Sequence, residues 1–71
     1  MTSSVVRIVL NGADREILPG TSVSALLHAL GQDPAWVAVE RNRNVIKKSH
    51  YHDVVLQAGD HVEVVTLVGG G

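Results

Sequence analysis

A chain of 71 residues has room for one small domain, and a domain near this size buries only about 60% of the surface that its unfolded chain exposes. The chain has no cysteine, which excludes disulfides, thiolate metal sites and a cysteine nucleophile, and it has no leader-like or membrane-length apolar stretch, so the sequence predicts a cytoplasmic protein. Its formal net charge of −1 and its two aromatic residues offer neither a basic surface nor a stacking platform, so we expect no nucleic-acid or membrane partner.

The first predicted element is a β-hairpin. Residues 5–10 are rich in β-branched side chains, which favours a strand. Asn11 and Gly12 follow, a pair that tolerates positive φ and is typical of a type I′ turn. Residues 13–18 predict a second, shorter strand, which ends at Pro19-Gly20 because proline donates no ladder hydrogen bond.

A short helix is predicted over residues 22–30. Thr21 or Ser22 can cap it, because a side-chain oxygen there accepts a hydrogen bond from an amide of the first turn. An apolar stripe with the spacing i, i+3, i+4 and i+7 then marks one face, formed by Val23, Leu26, Leu27 and Leu30. Gly31 and Pro34 predict the end of the helix. We expect the stripe to pack against a sheet as core.

The next segment combines a strand with polar turns. Residues 36–40 predict a third strand, which runs into a polar turn at residues 41–44. Residues 45–46 are apolar but long enough only for an edge pairing. Residues 47–53 form a polar connector whose conformation the pattern does not predict.

The chain closes on a second apolar segment. A brief apolar run at residues 54–56 is followed by a turn at 58–60, and residues 61–66 predict the last strand. The fold class is therefore α+β, with one helix on a mixed sheet, and this order of elements is that of a β-grasp domain. Periodicity does not reveal which strand neighbours which.

A metal site is the first chemistry to consider. His50 and His52 stand at i and i+2, and His61 could supply a third imidazole. Zinc and related ions do accept imidazole, but a convincing site needs a recognisable ligand set. We interpret these histidines as exposed residues of a polar loop and expect no metal.

Catalytic side chains are also hard to find. No elbow of the G-x-S-x-G kind presents any of the serines considered, which are Ser22, Ser24 and Ser49. The carboxylates of the second half have the spacing of ordinary turn and strand-surface residues; these are Asp53, Asp60 and Glu63. The sequence therefore predicts a protein that is not an enzyme.

The remaining distinctive feature is the run of Gly69, Gly70 and Gly71 after Val68. Because glycine has no Cβ, such a run makes a thin strand of main chain whose carboxylate fits a narrow active site. We expect residues 1–67 to form the domain and residues 68–71 to form a flexible tail. Two other interpretations are a frayed domain end and a glycine-rich linker.

A terminal carboxylate becomes electrophilic once one of its oxygens is a good leaving group. Adenylation by ATP achieves this by forming an acyl-phosphate mixed anhydride. The chain itself would then contribute no acid, base or nucleophile, and its share of the work would be to dock on an enzyme that holds ATP.

Several short motifs stand in one order along essentially the whole chain. They are the helical stripe, Leu-Pro-Gly-Thr at 18–21, Ala-Val-Glu at 38–40, Ala-Gly-Asp at 58–60 and Val-Gly-Gly-Gly at 68–71. In these features the chain resembles the ThiS family of sulfur carriers in thiamine biosynthesis. The resemblance implies a ubiquitin-like β-grasp fold, with a mixed four- to five-stranded sheet packed on one main helix.

The resemblance also implies a reaction and its partners. An adenylyltransferase of the ubiquitin-activating type uses Mg-ATP to adenylate the terminal carboxylate, a sulfur donor system converts it to a thiocarboxylate, and thiazole synthase accepts the sulfur. Carried over to this chain, Gly71 is the modified residue, and Gly69 and Gly70 thread into the partner's active site. Gly69 lengthens the minimal two-glycine ending. No cofactor is expected to bind to the chain itself.

The last strand suggests a docking surface. Side chains alternate along a strand, so Glu63, Val65 and Leu67 face away from Val62 and Val64. Exposed apolar side chains often mark partner sites. We expect Val65, Leu67 and Val68 to dock both partners in turn; the alternative is that they complete a small core.

Three other functions fit the same pattern. A sister carrier that supplies sulfur to molybdopterin shares the fold, the tail and the activation chemistry. A ubiquitin-like modifier would join its tail to lysines of target proteins. A β-grasp interaction module would carry its glycines without using them.

Overall fold

Five strands and one α-helix make up the computed structural model of the protein, which describes residues 4–67. The strands are β1 (Val6–Leu10), β2 (Ala13–Ile17), β3 (Val37–Arg41), β4 (Asn44–Val45) and β5 (His61–Thr66). The helix α1 spans Val23–Ala29, and two short 3₁₀ turns occupy Pro34–Trp36 and Lys48–His50. The last strand begins and ends where the sequence predicted.

The opening hairpin has the predicted turn. Asn11 and Gly12 have φ angles of 49° and 83°, the two positive values that a type I′ turn requires. Strand β2 ends one residue earlier than predicted, because Leu18 already begins the next turn: its carbonyl accepts a 3.2 Å hydrogen bond from the Thr21 amide. Gly20, with φ of +87°, makes that turn possible.

The helix has the caps that its sequence predicted. Ser22 Oγ accepts a 3.0 Å hydrogen bond from the Ala25 amide, and this fixes the first turn. At the other end Gly31 has φ of +71°, and the amide of Gln32 donates to the carbonyl of Leu27 at 2.9 Å. The predicted range 22–30 therefore consists of the helix and its two cap residues.

The sheet is mixed and has the order β2-β1-β5-β3-β4. The last strand is central: it runs parallel to β1, with Val9 opposite His61, and antiparallel to β3, with Val39 opposite Val64. Strand β4 contains two residues and lies at the edge, as predicted for so short a segment. The predicted mixed sheet of four to five strands with one main helix is thus confirmed, and it has five strands.

The prediction for the third strand was wrong at both ends. Trp36 lies in the 3₁₀ turn before the strand, because Asp33 caps that turn with a 2.9 Å hydrogen bond from the Ala35 amide and Pro34 has the fixed φ that suits it. Arg41 belongs to the strand, so the turn proper consists of Asn42 and Arg43.

The segment predicted as a polar connector contains a core residue. Tyr51 is buried, and its carbonyl accepts a 2.9 Å hydrogen bond from the Ser24 amide at the start of α1. The carbonyl of Val54 accepts a hydrogen bond from the neighbouring amide, that of Val23, also at 2.9 Å. Burial raises the pKa of the Tyr51 hydroxyl, against a smaller lowering by a backbone hydrogen bond at Val39.

The hydrophobic core lies between the helix and one face of the sheet. Its fully buried members come from α1, three strands and the segment before β5; they are Ile8, Val23, Leu26, Leu27, Val37, Val39, Leu56 and Val62. Every helix position predicted for the apolar stripe is buried or packed against this core. The opposite face of the sheet carries no helix within the described residues.

Candidate functional site

The candidate site is the end of β5, which leads to the last residues of the chain. Val62 is buried and Val64 is half-buried, so these two side chains face the core. Val65 and Leu67 are 50% and 45% exposed on the other face. The predicted alternation is confirmed, and these two side chains lie outside the buried core. Val68, Gly69, Gly70 and Gly71 lie outside the described residues, and the docking role stays a prediction.

A tryptophan that sequence reasoning did not assign to the site borders this end of the strand. The Leu67 amide donates a 2.7 Å hydrogen bond to the carbonyl of Trp36, which extends the pairing of β5 with β3 by one more rung. Trp36 is 58% exposed. An aromatic residue just before an apolar strand was the available signal. The sequence pattern predicts Trp36 as the first residue of the strand, but it lies in the turn before the strand.

Two asparagine side chains hold β5 from opposite sides. On the β1 side, Asn11 Oδ1 accepts from the Val64 amide at 2.8 Å and its Nδ2 donates to the Val64 carbonyl at 3.3 Å. On the β3 side, Asn42 Oδ1 accepts from the His61 amide at 2.9 Å. Asn11 and Asn42 both have positive φ, and each is the first residue of a turn. The turn between β1 and β2 and the turn between β3 and β4 therefore also hold the central strand β5.

The start of β5 is fixed by a part-buried ion pair. Arg41 Nε donates a 2.8 Å hydrogen bond to Asp60 Oδ2, and Asn42 Nδ2 donates to Oδ1 at 3.1 Å. The Gln57 amide adds a third donor at 2.8 Å. Burial by itself raises the pKa of Asp60, but the hydrogen bonds from Gln57, Asn42 and Arg41 outweigh it and lower the pKa below its ordinary value. The predicted turn role of Asp60 is confirmed; its partner on β3 was not foreseen.

An acidic rung lies next to the apolar end of the sheet. Glu40 and Glu63 are direct cross-strand partners, and the next pair on the same face of the sheet, two residues further along both strands, is Ala38 with Val65. Cross-strand partners share a face of the sheet, so both rungs belong to the face away from the helix. The ion pairs among the described residues are Arg7–Glu16 and Arg41–Asp60, and neither includes Glu40 or Glu63.

The histidines that were weighed as metal ligands are all exposed: His50 and His52 in the connector, His61 on β5. Within residues 4–67 no three His, Cys, Asp or Glu side chains come together as a metal-binding group. Among the serines, Ser22 uses its hydroxyl as the helix cap. In the same part of the chain, none of the helices has the length and apolar character needed to cross a bilayer.

Comparison with known proteins decides the family. The model of the ThiS family matches residues 8–71, which is nearly the whole chain. The chain belongs to the ThiS family. The sulfur carrier protein ThiS of Bacillus subtilis is 40% identical over 63 residues, covering 87% of this chain and 96% of that protein.

Other similar proteins support the assignment to the ThiS family. A crystal structure of the thiamine biosynthesis protein ThiS from Geobacter metallireducens superposes with a TM-score of 0.80 at 28% identity, covering 93% of this chain and all of that one. A thiazole synthase of Paramagnetospirillum magneticum is 42% identical over 66 residues, which are 93% of this chain but only 20% of that enzyme. The chain therefore spans about a fifth of the length of such relatives. The predictions of a β-grasp fold and of membership in the ThiS family are confirmed.

Proposed function

We propose that the chain carries sulfur as a thiocarboxylate on Gly71. A carboxylate oxygen of Gly71 attacks the α-phosphorus of ATP and releases pyrophosphate, which leaves an acyl-adenylate. A hydrosulfide ion supplied by a donor system then attacks the acyl carbon, AMP departs with the carboxylate oxygen, and loss of the thiol proton leaves the thiocarboxylate. One oxygen has been exchanged for sulfur, and the thiocarboxylate delivers that sulfur to the thiazole ring of thiamine. Mg-ATP is bound by the activating partner and not by this chain.

The observation that carries the proposal is that the ThiS family model matches the chain as far as Gly71. The body of the chain supports it, because its central strand leads directly to residues 68–71 and is fixed on both sides by asparagine side chains. A rigid strand before the glycines limits the positions from which Gly71 can enter a partner's active site, and this lowers the entropic cost of docking. Gly69 and Gly70 give a main chain without side chains at the entrance.

Two partners use this end of the chain in turn. The first is an adenylyltransferase of the ubiquitin-activating type, and the second is thiazole synthase. The thiazole synthase relatives that contain a region similar to this chain support the second partner. Val65, Leu67 and Val68 form the docking surface for both, and the exposure of Val65 and Leu67 supports that role. The chain works in the cytoplasm as carrier and co-substrate, and its partners supply the catalysis.

Intact-mass measurement tests the proposal. The purified chain is incubated with the activating enzyme, Mg-ATP and a sulfur donor, and its mass should rise by the difference between sulfur and oxygen. A variant that ends at Val68 should keep the thermal unfolding of the full chain and gain no mass. Loss of folding in that variant would contradict the division between a domain of residues 1–67 and a reacting tail.

The same reaction separates the alternative functions. A protein modifier gives adducts with target proteins and no thiocarboxylate. A molybdopterin-type carrier becomes thiocarboxylated but fails to support thiazole formation when thiazole synthase and its small-molecule substrates are added. An interaction module stays at its starting mass under all of these conditions.

A further inference from the structure

Trp36 is the only tryptophan of the chain, and more than half of its surface is exposed. It lies at the point where β3 begins and β5 ends, and its carbonyl bonds to the Leu67 amide. An exposed indole is a large apolar surface whose burial by a partner is favourable. Residues of this kind dominate the binding energy of protein interfaces when they are held in place beforehand.

The backbone on both sides of Trp36 is held by Lys48. Lys48 Nζ donates hydrogen bonds to the carbonyls of Pro34 at 2.7 Å and Val37 at 2.6 Å, one on each side of the tryptophan. The same ammonium lies 5.8 Å from the centroid of the buried Tyr51 ring. Asp33 completes the support from the other side, since its carbonyl accepts from the Trp36 amide at 3.0 Å. The turn that carries Trp36 is therefore fixed before any partner arrives.

The charges on the face of the sheet away from the helix indicate what kind of partner surface would lie against this part of the chain. The acidic rung of Glu40 and Glu63 lies two rungs from the exposed Val65, on the same face of the sheet. Like charges directly opposite one another are unfavourable. Arg43 and His61 line the same surface cavity but neither is in an ion pair with Glu40 or Glu63 among the described residues, so a cation from a partner would relieve the repulsion. An enzyme that binds the triphosphate of ATP carries basic residues around its site. A partner with an apolar pocket edged by Lys or Arg is complementary to this face.

We propose that Trp36 is the anchor through which the chain docks on its activating enzyme, inserting into an apolar pocket, and that Lys48 is the residue that positions it. Basic side chains at the edge of that pocket pair with Glu40 and Glu63. This inference rests on the proposed function, because it assigns Trp36 to the partner that activates Gly71. It also explains why so large an apolar side chain stays outside the core.

Steady-state adenylation with the cognate activating enzyme tests the anchor. Trp36→Ala should raise the KM for the carrier about tenfold to thirtyfold while kcat stays within about twofold, as expected for an aromatic hot spot. Leu18→Ala is the matched control, because Leu18 is 71% exposed in the turn after β2 and should leave KM unchanged. If Trp36→Ala folds normally and its KM stays within about twofold of the parent value, the anchor is refuted.

The positioning role of Lys48 has its own readout. Fluorotryptophan incorporation gives one fluorine NMR signal, from Trp36, in the isolated chain. Lys48→Met should shift or broaden that signal and raise KM, Lys48→Arg should restore both, and Lys47→Met should change neither. A Lys48→Met chain with an unaltered signal and an unaltered KM would overturn the role of Lys48.

A direct measurement of binding tests the docking role of Trp36 independently of the proposed function. Calorimetric titration of the activating enzyme should show weaker binding of Trp36→Ala and, for Glu40→Gln combined with Glu63→Gln, a weaker dependence of affinity on salt. If the chain binds but never becomes thiocarboxylated, the proposed function fails and the calorimetric comparison still decides the anchor. If Trp36→Ala weakens binding to thiazole synthase alone, the commitment to the activating enzyme is wrong.

Discussion

Arg41, the last residue of β3, forms an ion pair with Asp60, which directly precedes β5. The guanidinium Nε lies 2.8 Å from the carboxylate Oδ2, and Asp60 is 6% exposed although it carries a charge. Its partners come from β3, from the turn after β3 and from the Gln57 amide. A single carboxylate thus joins residues 41–42 to the turn that precedes the central strand.

Removing this carboxylate should destabilise the fold. We expect Asp60→Ala to lower the free energy of unfolding by about 1–3 kcal/mol, because Arg41 and the Gln57 amide lose their acceptor in a part-buried site. Asp53→Ala is the matched control, since Asp53 is exposed and should change stability little. Urea denaturation measures both variants. Equal stabilities would mean that the ion pair contributes nothing to the fold.

Asp60 should also make the free energy of unfolding depend on pH in the acid range. The pKa of Asp60 lies below its ordinary value of 3.8 in the folded chain, so the unfolded chain binds a proton first as the pH falls. Its contribution is therefore complete above about pH 4 and is lost as the pH falls through the lowered pKa. Thermal unfolding between neutral and acid pH should show this loss in the parent chain. Asp60→Asn should reduce the slope, and an unchanged slope would contradict the assignment.

The two type I′ turns offer a matched pair of substitutions. Asn is the first residue of both, but the second residue is Gly12 in one and Arg43 in the other, with φ angles of 83° and 70°. A side chain costs about 1–2 kcal/mol in this region, partly offset by the entropy that glycine loses on folding. Arg43→Gly should raise the free energy of unfolding by about 0.5–1 kcal/mol, and Gly12→Arg should lower it by a similar amount. Chemical denaturation checks both signs, and a loss of stability in Arg43→Gly would refute the argument from φ.

The asparagine clamp on the β1 side can be removed without disturbing its turn. Asn11→Gly keeps a residue that accepts positive φ, but it loses both hydrogen bonds to Val64. We expect a loss of about 1 kcal/mol and faster hydrogen exchange at the Val64 amide. Asn44→Ala serves as control, because the side chain of Asn44 bonds to Asn42 and not to β5. Unchanged exchange at Val64 in Asn11→Gly would show that the side chain does not hold the strand.

Local patterns in the sequence predicted the elements that local interactions determine. The hairpin turn depends on the φ preferences of Asn11 and Gly12, and the helix depends on a cap at Ser22 and a glycine at position 31. Each of these signals lies within a few residues of the structure that it specifies. The face of β5 that carries Val65 and Leu67 followed from simple alternation.

Contacts between distant residues could not be predicted in this way. Arg41 and Asp60 are separated by 19 residues, and neither residue type in its own segment indicates the other. Tyr51 stands among polar neighbours, and only its packing against the start of α1 and the sheet buries it. Trp36 was assigned to a strand because the pattern does not reveal that Asp33 and Lys48 hold it in a turn. The order of the strands in the sheet also depends on contacts between distant residues, so the sequence pattern could not predict it.

The central position of β5 has a mechanical consequence. Ladder hydrogen bonds run across the strands, so a pull along β5 from beyond Leu67 loads the bonds to β1 and β3 in shear, and many must break at once. A strand at the edge of the sheet, pulled sideways, would unzip one rung at a time. A force on the chain's last residues would therefore meet several ladder hydrogen bonds at once, and β5 would not peel from the domain one rung at a time.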